Sequence, residues 1–75
     1  MQITTYTLEG TPGPAAELTK DPQANLRLDG APVLAVGQWG SLVALTLVER
    51  LVLVRVSDYA RVSRFYGLEL LSRND

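Results

Sequence analysis

Side chains able to do chemistry are scarce in this chain. There is no His and no Cys, so the usual pairs of nucleophile and base are missing, as is every common zinc arrangement. Ser41, Ser57, Ser63 and Ser72 remain as hydroxyls in need of a base. The one lysine, Lys20, is not brought near any of them by sequence position. Paired carboxylates can hydrolyse glycosides or hold a hard cation. Glu9, Glu17, Asp21 and Asp29, however, fall in turns and at strand ends, where solvated acids ordinarily occur. The residue types therefore point away from an enzyme, and no cofactor or metal is expected.

What remains is a chemistry of contact. Tyr59, Arg61, Arg64, Phe65 and Tyr66 interleave aromatic rings with guanidinium groups. That combination stacks on bases and touches phosphates, and it also anchors protein interfaces. At helical spacing Tyr59, Val62 and Tyr66 turn toward the rest of the protein, while Arg61 and Arg64 share the outer side. The only Trp, Trp39, sits in Gly37-Gln38-Trp39-Gly40, which reads as a turn. It serves there either as a lid over an open sheet end or as an exposed hot spot. The four letters match the GxxG loop of KH domains, but that loop joins two helices and is usually basic, whereas this one follows a strand-like run. Trp39, Tyr59, Arg61, Arg64 and Phe65 are the expected protein-interface residues.

The elements that must position these side chains are built around one apolar block. Residues 42–56 are apolar apart from Thr46, Glu49, Arg50 and Arg55. The block is shorter than the ~20 residues of a spanning helix and carries charge at its centre, so no membrane span is expected. Val52, Val54 and Val56 alternate with Leu51, Leu53 and Arg55, which makes Leu51–Val56 a strand. Ser41–Val48 reads as the strand before it, although its leucines would also suit a helix.

Upstream, Gln2–Glu9 is rich in Thr and reads as a strand. Pro14 opens a short helix over residues 14–20, which Asp21-Pro22 ends. Ala24–Leu28 alternates into Asp29-Gly30, the signature of a two-residue hairpin, with Ala31–Val36 returning. Downstream, Ser57-Asp58 offers cap oxygens for a helix over residues 58–66 that Gly67 closes. Leu68–Ser72 alternates as a last strand. The expected fold is α+β: a single domain, residues 1–75, with a mainly antiparallel curled sheet of five or six short strands and one short helix near the C-terminus.

Size and charge narrow the function. A 75-residue core seldom supplies more than ~3–5 kcal/mol, and disulfides and zinc are not options here, so oligomerisation is the expected support. The net charge of −1 disfavours nucleic acid as partner. Residues 1–49 carry Lys20 and Arg27 against five acids, a net of −3, and residues 50–74 carry five arginines against two acids, a net of +3. Folding the halves together is expected to bring these charges into pairs. Six of the seven basic residues are Arg, a codon signature of a GC-rich bacterial or phage genome. The start at Met1 lacks a signal-peptide pattern and reads as a complete, cytoplasmic small protein.

The expected function is a non-enzymatic protein-binding module that forms a homo-oligomer, such as a bacterial or phage inhibitor of a host or defence enzyme. The alternatives are a structural subunit of a larger assembly and a nucleic-acid binder using the Arg/Tyr helix face.

Overall fold

The apolar block folds as extended, paired chain. In the computed structural model, which describes residues 1–68, β1 (Gln2–Tyr6), β2 (Pro12–Lys20), β3 (Leu26–Leu28), β4 (Ala31–Pro32), β5 (Ala35–Trp39), β6 (Leu42–Thr46) and β7 (Leu51–Arg55) precede one helix, α1 (Val56–Tyr66). The strands form one sheet in the order β4-β3-β2-β1-β7-β6-β5, and every pairing is antiparallel. Among the described residues it is a small sheet-dominated domain with a curled antiparallel sheet, one C-terminal helix and seven strands rather than five or six.

The extra strands come from two departures. Residues 12–20 are strand, not helix. The alanines and Glu17 favour helix locally, but a helix of that length is marginal without a face to bury. As a strand the segment completes the ladder of β1 through Gln2↔Glu17, Ile3↔Ala16 and Thr4↔Ala15, and sends Ala16 and Leu18 into the core. Pro12 and Pro14 are tolerated because β3 joins β2 only at residues 18–20, leaving the proline end with one neighbour.

The second departure divides the expected return strand 31–36. Asp29 and Gly30 take φ of 50° and 85°, both positive as the two-residue hairpin requires, and β4 pairs with β3 as expected. The chain then changes partner. Val33 N–H donates to the Leu26 carbonyl at 3.0 Å, whereas Leu34 N–H donates to the Thr46 carbonyl at 2.7 Å. β5 continues along β6 to Trp39. The two terminal strands of the sheet are thus consecutive in the chain, which is how far the sheet curls. The turn expected at 37–40 is shifted as well: Gly37, Gln38 and Trp39 are strand, and the hairpin is Gly40-Ser41, closed by Trp39↔Leu42. Gly40 there has φ of 62°, which suits glycine at the first turn position.

The helix begins earlier than Ser57-Asp58 implied. β7 runs into α1 without a loop, and no side chain caps it. Instead Val56 N–H donates to the Ser41 carbonyl at 3.0 Å, so a tertiary contact replaces the local cap. Asp58 lies in the first turn and pairs with Arg61. Gly67 closes the helix as expected, with Gly67 N–H on the Arg64 carbonyl and Leu68 N–H on that of Ser63. The strand expected over 68–72 lies, from residue 69 on, outside the described residues.

The concave side of the sheet holds the core. Ile3, Ala16, Leu18, Leu28, Val43, Leu45, Val52 and Val54 meet there, and α1 covers them with Tyr59 and Val62. A tether fixes the far end of the helix: Tyr66 Oη donates to the Leu18 carbonyl at 3.2 Å, and Lys20 Nζ donates to the Tyr66 carbonyl at 2.9 Å. Ser63 Oγ, on the same helix face, is buried without a hydrogen bond. Such a group costs stability, so Ser63→Ala is expected to raise the unfolding free energy by about 1 kcal/mol; a lower urea midpoint for the variant would contradict this.

Candidate interaction surface

The convex side of the sheet differs sharply from one half to the other. Register fixes which residues share it, because residues directly opposite in a ladder point to the same face. Trp39, Leu42 and Arg55 form one convex row, Gly37, Ala44, Leu53 and Tyr6 the next, and Ala35, Thr46 and Leu51 a third. Over β2 and β3 the same side carries Glu17, Thr19 and Arg27. An antiparallel sheet with one wet face ordinarily alternates apolar and polar. β5, β6 and β7 do not, and their convex side has a single charge, Arg55.

Arg55 is itself engaged. Its guanidinium carbon lies 4.8 Å from the centre of the Tyr6 ring, a cation–π contact. Leu53, between them in the ladder, is only 5% exposed although it is not part of the concave core. The Tyr6–Arg55 stack therefore shelters one leucine. Beyond it the side chains are open to solvent: Trp39 is 59% exposed and Leu51 53%. An open depression of about 840 Å³ borders this patch, with Tyr6, Leu8, Leu42 and Arg55 among its walls. Ser41 and Ser57 also line it, whereas Lys20 is bound at the opposite end of α1, so no Ser–Lys pair forms there. Among the described residues no cluster of three or more acids could hold a metal ion, and no helix is long and apolar enough to cross a membrane.

The five expected interface residues do not form one site. Trp39 is on the convex patch, exposed as a hot spot would be and not closing the sheet. Arg61, Arg64 and Phe65 are exposed on the helix, Phe65 at 67%. Phe65 packs edge-on against Tyr66, with ring centres 5.0 Å apart, in the last turn. The Trp39 hairpin instead touches the start of the helix through Ser41, some ten residues or about 15 Å away. Tyr59 is 5% exposed and belongs to the core, as its helical spacing with Val62 demands, so it presents nothing to a partner of the folded chain. Leu42, Leu51 and Leu53 have nothing in their type to distinguish them from core residues; the strand pairing places half of the apolar block on the convex side, and the alternation along Leu51–Val56 is the sequence signal for it.

Among the described residues the opposite charges of the two halves do not find each other. Among the described residues the ion pairs are the Met1 ammonium with Glu17 (3.0 Å), Arg27 with Asp21 (3.2 Å) and Arg61 with Asp58 (3.2 Å), each within its own half. The halves meet along β1 and β7, where Tyr6 receives Arg55 with its ring instead of a carboxylate. Asp21 is held below the usual carboxylate range, first by the Asn25 N–H and further by Arg27 and the Gln23 N–H, and so fixes the turn into β3.

No protein family, characterised protein or solved structure was found to match the chain.

Burial pushes the Tyr59 phenol above its ordinary value of 10.0; the Ser63 hydroxyl opposes this weakly, close by but without hydrogen-bond geometry. The folded state then holds that proton more tightly than the unfolded chain does. Its contribution to stability is complete below about pH 10 and is lost as pH rises through the raised value. Thermal melts between pH 8 and about pH 11 are expected to fall in wild type more steeply than in Tyr59→Phe; parallel curves would contradict the assignment.

Proposed function

We propose that the chain is a non-enzymatic protein-binding module whose contact surface is the convex side of β5, β6 and β7, and that a second copy of itself is among its partners. The observation that carries this reading is the near absence of charge on that surface beside an exposed indole. Contiguous exposed apolar patches on small domains mark interaction sites, and Trp is among the residue types that most often anchor such contacts. The domain also has reason to associate, because a core of this size is a thin source of stability. A small inhibitor that covers part of a host or defence enzyme is the concrete form of the proposal, and a subunit that repeats within a larger assembly is the alternative of the same chemistry.

The helix face supports a nucleic-acid partner less well. Arg61 is committed to Asp58, and the tract carries Phe65 outward without a second exposed ring beside it, since Tyr59 is in the core.

Light scattering across a concentration series reads the proposal directly. Wild type is expected to rise above the mass of one chain, and Trp39→Ser to weaken association by about tenfold or more, with an unchanged melting temperature. One-chain mass at every concentration would remove self-association, and association unaffected by Trp39→Ser would move the contact away from this surface.

A further inference from the structure

Of the two strands at the ends of the sheet, β4 is blunted and β5 is not. β4 is two residues long and contains Pro32, the usual ways of protecting an edge. β5 is five residues long, Ala35-Val36-Gly37-Gln38-Trp39, with no charge and no proline, and among the described residues it pairs only with β6. Natural sheets seldom leave such an edge open.

Its hydrogen-bonding register is fixed by the hairpin. Trp39↔Leu42 closes a two-residue turn, and the closing pair exchanges ladder bonds, which then alternate along the strands. The N–H and C=O groups of Trp39, Gly37 and Ala35 therefore point at β6. Those of Val36 and Gln38 point away from it, and none of them meets another backbone group among the described residues.

We propose that this edge is completed by β5 of a second copy, antiparallel about a two-fold axis through Gly37. The inference rests on the self-association reading above and specifies its geometry. Only this register satisfies all the outward groups at once: Val36 bonds Gln38 of the second copy and Gln38 bonds its Val36. Gly37 then faces Gly37 as the close, non-hydrogen-bonded pair, with Cα atoms about 4.5 Å apart.

The side chains fit the same register. Trp39 falls opposite Ala35 of the second copy and diagonal to its Gly37, so each indole lies across the two smallest residues of the facing strand. A Cβ built on Gly37 meets nothing within 4 Å in one copy, which leaves the space above it free for that ring. Large against small on both sides of the axis is the self-complementarity that a closed two-fold contact requires. The two convex patches then run on into one another, and the exposed Trp39 is covered. A five-residue pairing is small, so the dimer is one that separates on dilution.

The chain has no Cys, so single-cysteine variants report the register cleanly. Gly37→Cys is expected to form a disulfide dimer under mild oxidation, at least tenfold faster than Ala35→Cys, whose counterpart across the strand is Trp39. Val36→Pro removes an outward donor that β6 does not use. It is expected to lower the light-scattering mass to one chain while circular dichroism stays native. If wild type associates and Trp39→Ser weakens it, but Val36→Pro is silent and Gly37→Cys is no faster than Ala35→Cys, the edge pairing is wrong and the convex-surface reading stands. If wild type is one chain throughout, the edge pairing and the self-association on which it rests both fail.

Discussion

The architecture depends on the β6–β7 ladder, because two adjacent strands that are apolar on both faces must be covered twice. Val43 faces Val54 and Leu45 faces Val52 on the concave side, where closing the sheet and laying α1 across it excludes water. Such burial stabilises by roughly 1.5–3 kcal/mol for each fully covered aliphatic side chain. The curl serves that end: with the sheet's two terminal strands consecutive in the chain, 75 residues enclose a core that a flat sheet would leave half open.

Among the described residues the convex side has no second layer. One local device, the Arg55 guanidinium over the Tyr6 ring, shelters Leu53. It also joins the two halves at the β1–β7 seam. Past that stack one row runs from Leu53 through Ala44 to Gly37 and the next from Arg55 through Leu42 to Trp39, both ending on the sheet's unprotected edge. The same alternation that fills the core thus produces the surface on which the functional proposal rests.

Much of this was legible in the residues. Alternating valines identified β7, Asp29-Gly30 identified a hairpin, and Gly67 marked the end of α1, since each is a local signal with a local cause. The misreadings share another cause. Residues 14–20 look helical in isolation and become β2 because β1 offers a ladder and the core accepts Ala16 and Leu18. Ser57-Asp58 looks like a cap and is not one, because the Ser41 carbonyl, distant in sequence, already receives the first helical N–H. The candidate surface was half legible: Trp39 stood out by type, but its neighbours Leu42, Leu51 and Leu53 are indistinguishable from core residues until pairing assigns them a face.

By itself the sequence determined that residues 42–56 are the centre of a sheet, that His and Cys chemistry are absent, and where several turns must fall. These follow from composition and from short-range backbone preference, which act within a few residues. Tertiary structure alone decided which leucines are inside, that the stretch 31–39 serves two different strands, that Trp39 is surface, and that among the described residues the charged halves do not pair. Those outcomes depend on contacts between residues tens of positions apart, and such contacts exist only once the sheet has curled.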